Sequence, residues 1–216
     1  MCAAEGVFPR GGRGRRRGWR EGKVIVSALR FFREFIAAPV NVGAFAASSV
    51  NLAEKTVEAA EIGDSSVVVE YGPGTGVITQ SILNRLPGGA KFLTIEIQED
   101  FVKAMKERFP DVNVIHGSAE DTRKHLRDIG EEHCDRIVSG LPWAGFSEDL
   151  QDRLLDAVCD SLRPGGRFCT YTYLLSPYLP GGRRFRKKLN ERFSKTGETS
   201  MVWANLPPAF VYWAEK

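Results

Sequence analysis

A chain of 216 residues with 43% apolar and 26% charged residues is long enough to bury a full core in one domain, which excludes both a disordered chain and a disulfide-stapled miniprotein. Its four cysteines, Cys2, Cys134, Cys159 and Cys169, show no C-x-x-C spacing, and His116, His125 and His133 have no metal-ligand spacing, so reduced cysteines in the cytoplasm and no metal centre are expected. The net charge of +3 is uneven: residues 1–23 carry seven Arg or Lys and two Glu, a net of +5, and the rest of the chain carries −2.

Residues 1–22 contain Gly11-Gly12-Arg13-Gly14-Arg15-Arg16-Arg17-Gly18, too poor in apolar side chains to order by themselves. Residues 23–39 read as an amphipathic helix ended by Pro39. Ile25, Leu29, Phe32 and Ile36 form one stripe, Val24, Ala28, Phe31 and Phe35 the next, with Ser27, Arg30, Arg33 and Glu34 opposite. Such a helix either covers the sheet of its own domain or, behind a basic tail, lies in a membrane interface. The apolar run Val24–Leu29 is interrupted by Ser27 and ends at Arg30, too short for a secretory leader, and no stretch reaches the ~20 apolar residues of a membrane span.

Residues 40–216 alternate regularly. Helices are expected at 50–60, 76–86, 99–109, 119–129, 148–162 and 182–193, and strands at 67–71, 91–97, 112–115, 135–139 and 166–174. Strands separated by helices imply a parallel sheet with right-handed crossovers. Two last strands, 200–203 and 210–213, are separated by Asn205-Leu206-Pro207-Pro208 alone, which suits an antiparallel hairpin and leaves no room for a crossover helix.

The organising stretch is Val67-Val68-Val69-Glu70-Tyr71-Gly72-Pro73-Gly74-Thr75-Gly76, a buried strand that stops at a glycine-rich turn. Alternate glycines permit positive φ and leave room for a ligand against the backbone, although a tight strand-to-helix connection has the same needs. The G-x-G-x-x-G spacing of dinucleotide folds is not met, because Val77 stands at its third glycine. Glu70-x-Gly72-x-Gly74-x-Gly76 resembles motif I of the S-adenosylmethionine-dependent methyltransferases, and the whole α/β pattern resembles their class I, Rossmann-like fold. The resemblance implies S-adenosylmethionine as cofactor, with Glu70 near its methionine ammonium and Gly72, Gly74 and Gly76 along the nucleoside. Glu96, twenty residues after Gly76 at a strand end, is suited to accept hydrogen bonds from both ribose hydroxyls. Ser118, Ala119 and Glu120 match the segment that passes the adenine edge, and Ser118 and Glu120 equally suit the start of the next helix. Ser139 ends the fourth strand on the same edge.

After that strand comes Ser139-Gly140-Leu141-Pro142-Trp143-Ala144-Gly145-Phe146. Its place resembles the N-P-P-Y motif of adenine and amine methyltransferases, with Gly140 where the amine-holding Asn would stand. That substitution counts against a nucleobase acceptor. Together with Phe31, Phe35, Pro39, Gly43, Ser48-Ser49 and Leu206-Pro207-Pro208-Ala209, the pattern resembles the bacterial phospholipid N-methyltransferases, relatives of the ribosomal RNA adenine dimethylases. The resemblance implies methylation of phosphatidylethanolamine towards phosphatidylcholine by a cytoplasmic protein held peripherally on an anionic membrane. Leu141, Trp143 and Tyr71 are then expected on the acceptor side, and Trp143, Phe146, Tyr171 and Tyr173 are aromatic faces suited to a developing cation, with one of the two strand tyrosines expected to pack in the sheet. Arg183, Arg184, Arg186, Lys187, Lys188, Arg192 and Lys195 lie beside a Phe185, Leu189, Phe193 stripe and read as a solvated face above a packed one. A nucleic-acid methyltransferase using the basic tail on phosphates, another small-molecule methylase and a catalytically silent binding protein stand as alternatives.

Overall fold

The computed structural model describes residues 42–216, with side chains from residue 50 onward. The tail and amphipathic helix expected at 1–22 and 23–39 lie outside the described residues. From Val42 the order is α1 (Val42–Ala60), β1 (Val67–Tyr71), α2 (Val77–Leu83), β2 (Lys91–Glu96), α3 (Glu99–Arg108), β3 (Asn113–His116), α4 (Thr122–Asp128), β4 (Cys134–Ser139), α5 (Glu148–Ser161), β5 (Leu162–Tyr173), α6 (Pro180–Arg192), β6 (Lys195–Glu198) and β7 (Ala209–Glu215).

These strands form one seven-stranded sheet in the order β3-β2-β1-β4-β5-β7-β6. The first five are mutually parallel, and β7 runs antiparallel between β5 and β6. The chain reverses direction across the sheet between β1 and β4, and in open α/β sheets ligands bind beyond the strand carboxyl ends at such a point.

Both faces of the sheet are covered, so alternate residues of one strand feed different cores. Val67, Val69 and Tyr71 join Ile137, Phe168, Leu126 of α4, Leu154 and Leu155 of α5 and Leu189 of α6. Val68 joins Val138, Cys169, Leu52 and Val57 of α1, and Ile82 of α2 on the other side. The α6 stripe is as expected, with Phe185, Leu189 and Phe193 all buried. Lys188, expected on the solvated face, is instead buried and paired with Asp152 at 2.7 Å, while Arg192 reaches the same carboxylate at 2.6 Å; the long side chains lie along α5 and end on its acids.

The terminal hairpin differs from expectation. Its outer strand is Lys195–Glu198, and residues 200–203 contribute only a single bridge, Val202 to Ala209. Lys-Thr-Gly-Glu carries no apolar alternation because it is an edge strand with half-exposed faces, and its Gly197 is required because a Cβ there would collide with the Trp213 ring. The aliphatic look of Met201 and Val202 reflects packing against the cores of the two sheet faces, not membership of the ladder.

Candidate active site

The β1–α2 turn carries three left-handed glycines, Gly72 (φ 64°), Gly74 (φ 54°) and Gly76 (φ 81°), but they serve different ends. A Cβ on Gly74 would meet nothing within 4 Å, so this position faces open space. On Gly72 it would come 2.7 Å from Leu141 Cδ2, across the cleft mouth. On Gly76 it would collide with the Phe109 ring and come 2.8 Å from Met105 Sδ. Gly76 therefore lets the α3 end pack against the turn and does not face the cleft.

Beyond the turn lies a cleft with about 120 Å³ of free volume, and it gathers Gly72, Gly74, Glu96, Ser118, Ala119, Glu120 and Leu141. Glu96, 5% exposed, ends β2 here. Its Oε1 accepts the Gln98 N–H at 2.9 Å and its Oε2 the Gly74 N–H at a long 3.4 Å, leaving lone pairs toward the cleft. Burial pushes its carboxyl above the ordinary value of 4.5, and the backbone N–H groups of Gln98, Gly74 and Ile97 oppose that rise. Ser118 Oγ accepts the Glu120 N–H at 3.2 Å, capping the short turn 119–121, and Glu120 is held by Arg153 of α5 at 2.8 Å. These two residues thus start the next helical segment and line the cleft at once.

Besides Gly76, four residues expected at the site do not line the cleft: Glu70, Tyr71, Ser139 and Trp143. Glu70 is fully buried behind the turn, where its Oε2 accepts the Thr79 hydroxyl at 2.7 Å and its Oε1 has no partner. Desolvation, the largest cause, pushes its carboxyl up to about 8, and the neighbouring Glu96 charge adds to the rise. Tyr71 is fully buried with its hydroxyl bonded to that of Thr122 at 2.7 Å, since odd-numbered β1 residues face the α4–α5–α6 core. Ser139 Oγ accepts both the Leu141 N–H at 3.2 Å and the Trp143 indole N–H at 3.0 Å. The Trp143 indole, 3% exposed, stacks on Phe185 at 4.8 Å and meets Phe168 edge-on at 5.5 Å. Its faces are taken by core aromatics, so it fixes the turn from beneath instead of offering a free face to an acceptor. Phe146 does reach the cleft. Tyr171 and Tyr173, two residues apart on one strand, necessarily share a face, and they pack edge-on at 6.0 Å against the opposite core, away from the cleft.

The structure also explains Gly140. Its N–H donates to the Tyr71 carbonyl at 2.8 Å, and a Cβ would lie 2.6 Å from the Gly72 carbonyl oxygen. The acceptor turn and the glycine turn touch backbone to backbone, and no side chain fits between them. Gln151 of α5 secures the outer side of the same turn, its Nε2 donating to the Trp143 carbonyl at 2.7 Å and the Gly181 carbonyl at 3.0 Å. Sequence reasoning missed Gln151, and it missed the apolar cleft walls Ile97, Phe101, Leu150 and Leu154. An apolar Ile97 directly after the strand-end acid and the i, i+4 spacing of Leu150 and Leu154 were the available signals.

The cleft combines an apolar slot, a buried carboxylate with spare acceptor capacity and an open glycine position, a set that fits a nucleoside with a ribose diol. Residues 68–166 match the methyltransferase domain family. Over 185 residues the chain is 32% identical to the ornithine lipid N-methyltransferase of Singulisphaera acidiphila, spanning 84% of this chain and 92% of that one. The chain belongs to the class I, S-adenosylmethionine-dependent lipid N-methyltransferases. Ribosomal RNA small subunit methyltransferase A of Cupriavidus metallidurans is 36% identical over 99 residues, which is 44% of this methyltransferase and 33% of that protein. Among solved structures, an O-methyltransferase from Bacillus cereus in complex with SAH aligns with a TM-score of 0.58 at 14% identity, covering 90% of this chain and 91% of the other. TomG from Streptomyces achromogenes, in complex with SAM, aligns equally well at 17% identity, covering 90% of each chain. At such identities these two carry the fold alone. Among the described residues no group of His, Cys, Asp and Glu side chains could hold a metal ion, and no helix is long and apolar enough to cross a membrane.

Proposed function

We propose that this methyltransferase methylates the amine of a membrane lipid headgroup, with phosphatidylethanolamine as acceptor. The observation that carries the reading is the backbone contact at Gly140: the acceptor turn has no side-chain amide and no room for one, so it lacks the group that would hold a nucleobase amine. The extent of the likenesses supports it, since the lipid methylase matches nearly end to end and the ribosomal RNA methylase over less than half of this chain. The same relative favours an ornithine lipid as a second acceptor.

Glu96 would hold the ribose hydroxyls, Gly72 and Gly74 would lie against the nucleoside, and Ser118, Ala119 and Glu120 would pass the adenine edge, between the apolar walls Ile97, Phe101 and Leu154. S-adenosylmethionine supplies the methyl group, carried on a sulfonium sulfur. The protein's part is to align and to exclude water. Leu141 and Pro142 close the cleft toward the acceptor, and Phe146 offers the aromatic edge there. Ser139, Trp143 and Tyr71 act as positioning residues that fix the two turns. Glu70, fully buried at the base of the glycine turn, has an unpartnered Oε1 suited to a proton. The carboxylates lining the cleft, Glu96 and Glu120, are assigned here to the nucleoside, and on that assignment the amine arrives neutral. Expression of the full chain in a bacterial host lacking phosphatidylcholine, followed by lipid mass spectrometry, should reveal mass gains of one to three methyl groups on phosphatidylethanolamine. If none appears while the folded protein binds the cofactor, the acceptor is wrong, and ornithine lipid is the next to offer.

A further inference from the structure

Seven large apolar side chains stand exposed among the described residues, and five of them, Leu175, Tyr178, Leu179, Trp203 and Leu206, belong to two loops. These loops are neighbours. The segment after β5 is tied to the β6–β7 loop by the Leu174 N–H, which donates to the Pro208 carbonyl at 2.9 Å. Between them opens a broad depression of about 840 Å³, floored by Met201 and Phe210 and walled by Arg183, Arg186 and Lys187 of α6. It contains none of the residues of the cofactor cleft, but β5 ends and β7 begins here, so both loops leave the same carboxyl edge of the sheet.

Neither loop is a loose end. Tyr178 and Leu179 donate to the Leu175 and Ser176 carbonyls at 3.1 Å, and Gly182 packs so closely on the Ser176 carbonyl that a Cβ would not fit. In the other loop Thr199 N–H donates to the Val211 carbonyl at 2.9 Å, and the buried Asn205 donates to the Pro207 carbonyl at 2.6 Å. Anchored backbones thus hold Tyr178 and Trp203 outward at 72% and 71% exposure. Arg186 and Lys187 are paired, with Glu198 at 3.2 Å and Glu191 at 3.6 Å, whereas Arg183 has no ion pair among the described residues.

We propose that these two loops are a docking surface for an anionic lipid bilayer. Apolar and aromatic tips on separate stiff projections suit insertion between headgroups, where tyrosine and tryptophan are favoured, while a protein partner would require a flatter and more continuous complement. The unpaired Arg183 and its cationic neighbours at the rim match an anionic surface. Docking at the carboxyl edge turns the mouth of the cofactor cleft toward the lipid headgroups. This inference rests on the lipid reading, and it assigns contact to the folded domain, independently of residues 1–41.

The test is co-flotation of the full chain with vesicles of phosphatidylethanolamine and phosphatidylglycerol, comparing wild type, Tyr178→Ser/Trp203→Ser, Arg183→Glu and, as an exposed apolar control outside the two loops, Val50→Ser. The double variant should lose about tenfold in partitioning, since two inserted aromatic side chains are removed. Arg183→Glu should weaken binding at low salt only. Val50→Ser should match wild type. All variants should methylate lipid dispersed in detergent at the wild-type rate, because docking is bypassed there. Failure of wild type in detergent would count against the lipid acceptor itself, whatever the flotation result. Unchanged partitioning of the double variant, or an equal loss in Val50→Ser, would overturn the docking surface. So would loss of structured-RNA binding in Arg183→Glu with vesicle binding unaltered, which would reassign the surface to nucleic acid.

Discussion

The two turns that meet at the cleft are built in opposite ways. The glycine turn after β1 is held by its backbone and leaves Gly72 and Gly74 facing outward, while the acceptor turn after β4 is held by side chains, Ser139 and Trp143, that point inward. They meet where Gly140 and Leu141 lie against Tyr71 and Gly72. The difference teaches that a motif residue at a strand end can serve a site by facing it or by holding up the loop that does. Substitutions should separate the two roles.

Trp143→Ala should have the largest effect, a loss of about 3–5 kcal/mol of stability, because it removes a buried indole from a four-ring cluster and the donor to Ser139 Oγ. Urea denaturation measures it. A full loss of turnover with unchanged stability would instead place the indole against the acceptor. Gly140→Ala and Gly76→Ala should each cost about 1–3 kcal/mol, the first by forcing the turns apart and the second by displacing the end of α3. Only the first should also weaken cofactor binding, which calorimetry would separate from the stability change.

Glu70 sharpens the comparison through pH. Its carboxyl titrates near 4.5 in the unfolded chain and at about 8 in the fold, so the native state keeps a proton that the unfolded state releases. Its contribution is therefore fully present below pH 4.5 and is lost as pH rises toward 8, by about 1.4 kcal/mol per pH unit. Glu70→Gln should flatten that slope in denaturation curves recorded between pH 5 and 8. An unaltered slope would mean that the proton resides elsewhere.

Most of the parallel architecture was legible because burial on both faces writes valine-rich runs such as Val67–Val69 and Ile137–Val138 between helices with clear periodicity. The β6 edge strand was not, since Lys-Thr-Gly-Glu needs only backbone bonds to β7 and shows no apolar signature. Among the expected site residues, Glu96, read from its spacing, and Gly74 and the 118–120 segment, implied by the family resemblance, line the cleft from strand ends. Trp143 and Tyr71 were misplaced because sequence position at a strand end does not fix which way a side chain turns, and Gln151 was invisible because its partners are backbone carbonyls of two other segments. Gly140 looked like a missing asparagine and is a contact between backbones.

On the proposed reading, the open side of the glycine turn receives the cofactor. Gly74→Ala measures it most directly, because the new methyl group meets no protein atom within 4 Å and the fold loses only the roughly 1–2 kcal/mol of a left-handed alanine. Titration calorimetry with S-adenosylhomocysteine should then find a folded protein whose affinity has fallen at least about tenfold, a change of ~1.4 kcal/mol. Wild-type affinity in folded Gly74→Ala would contradict the account.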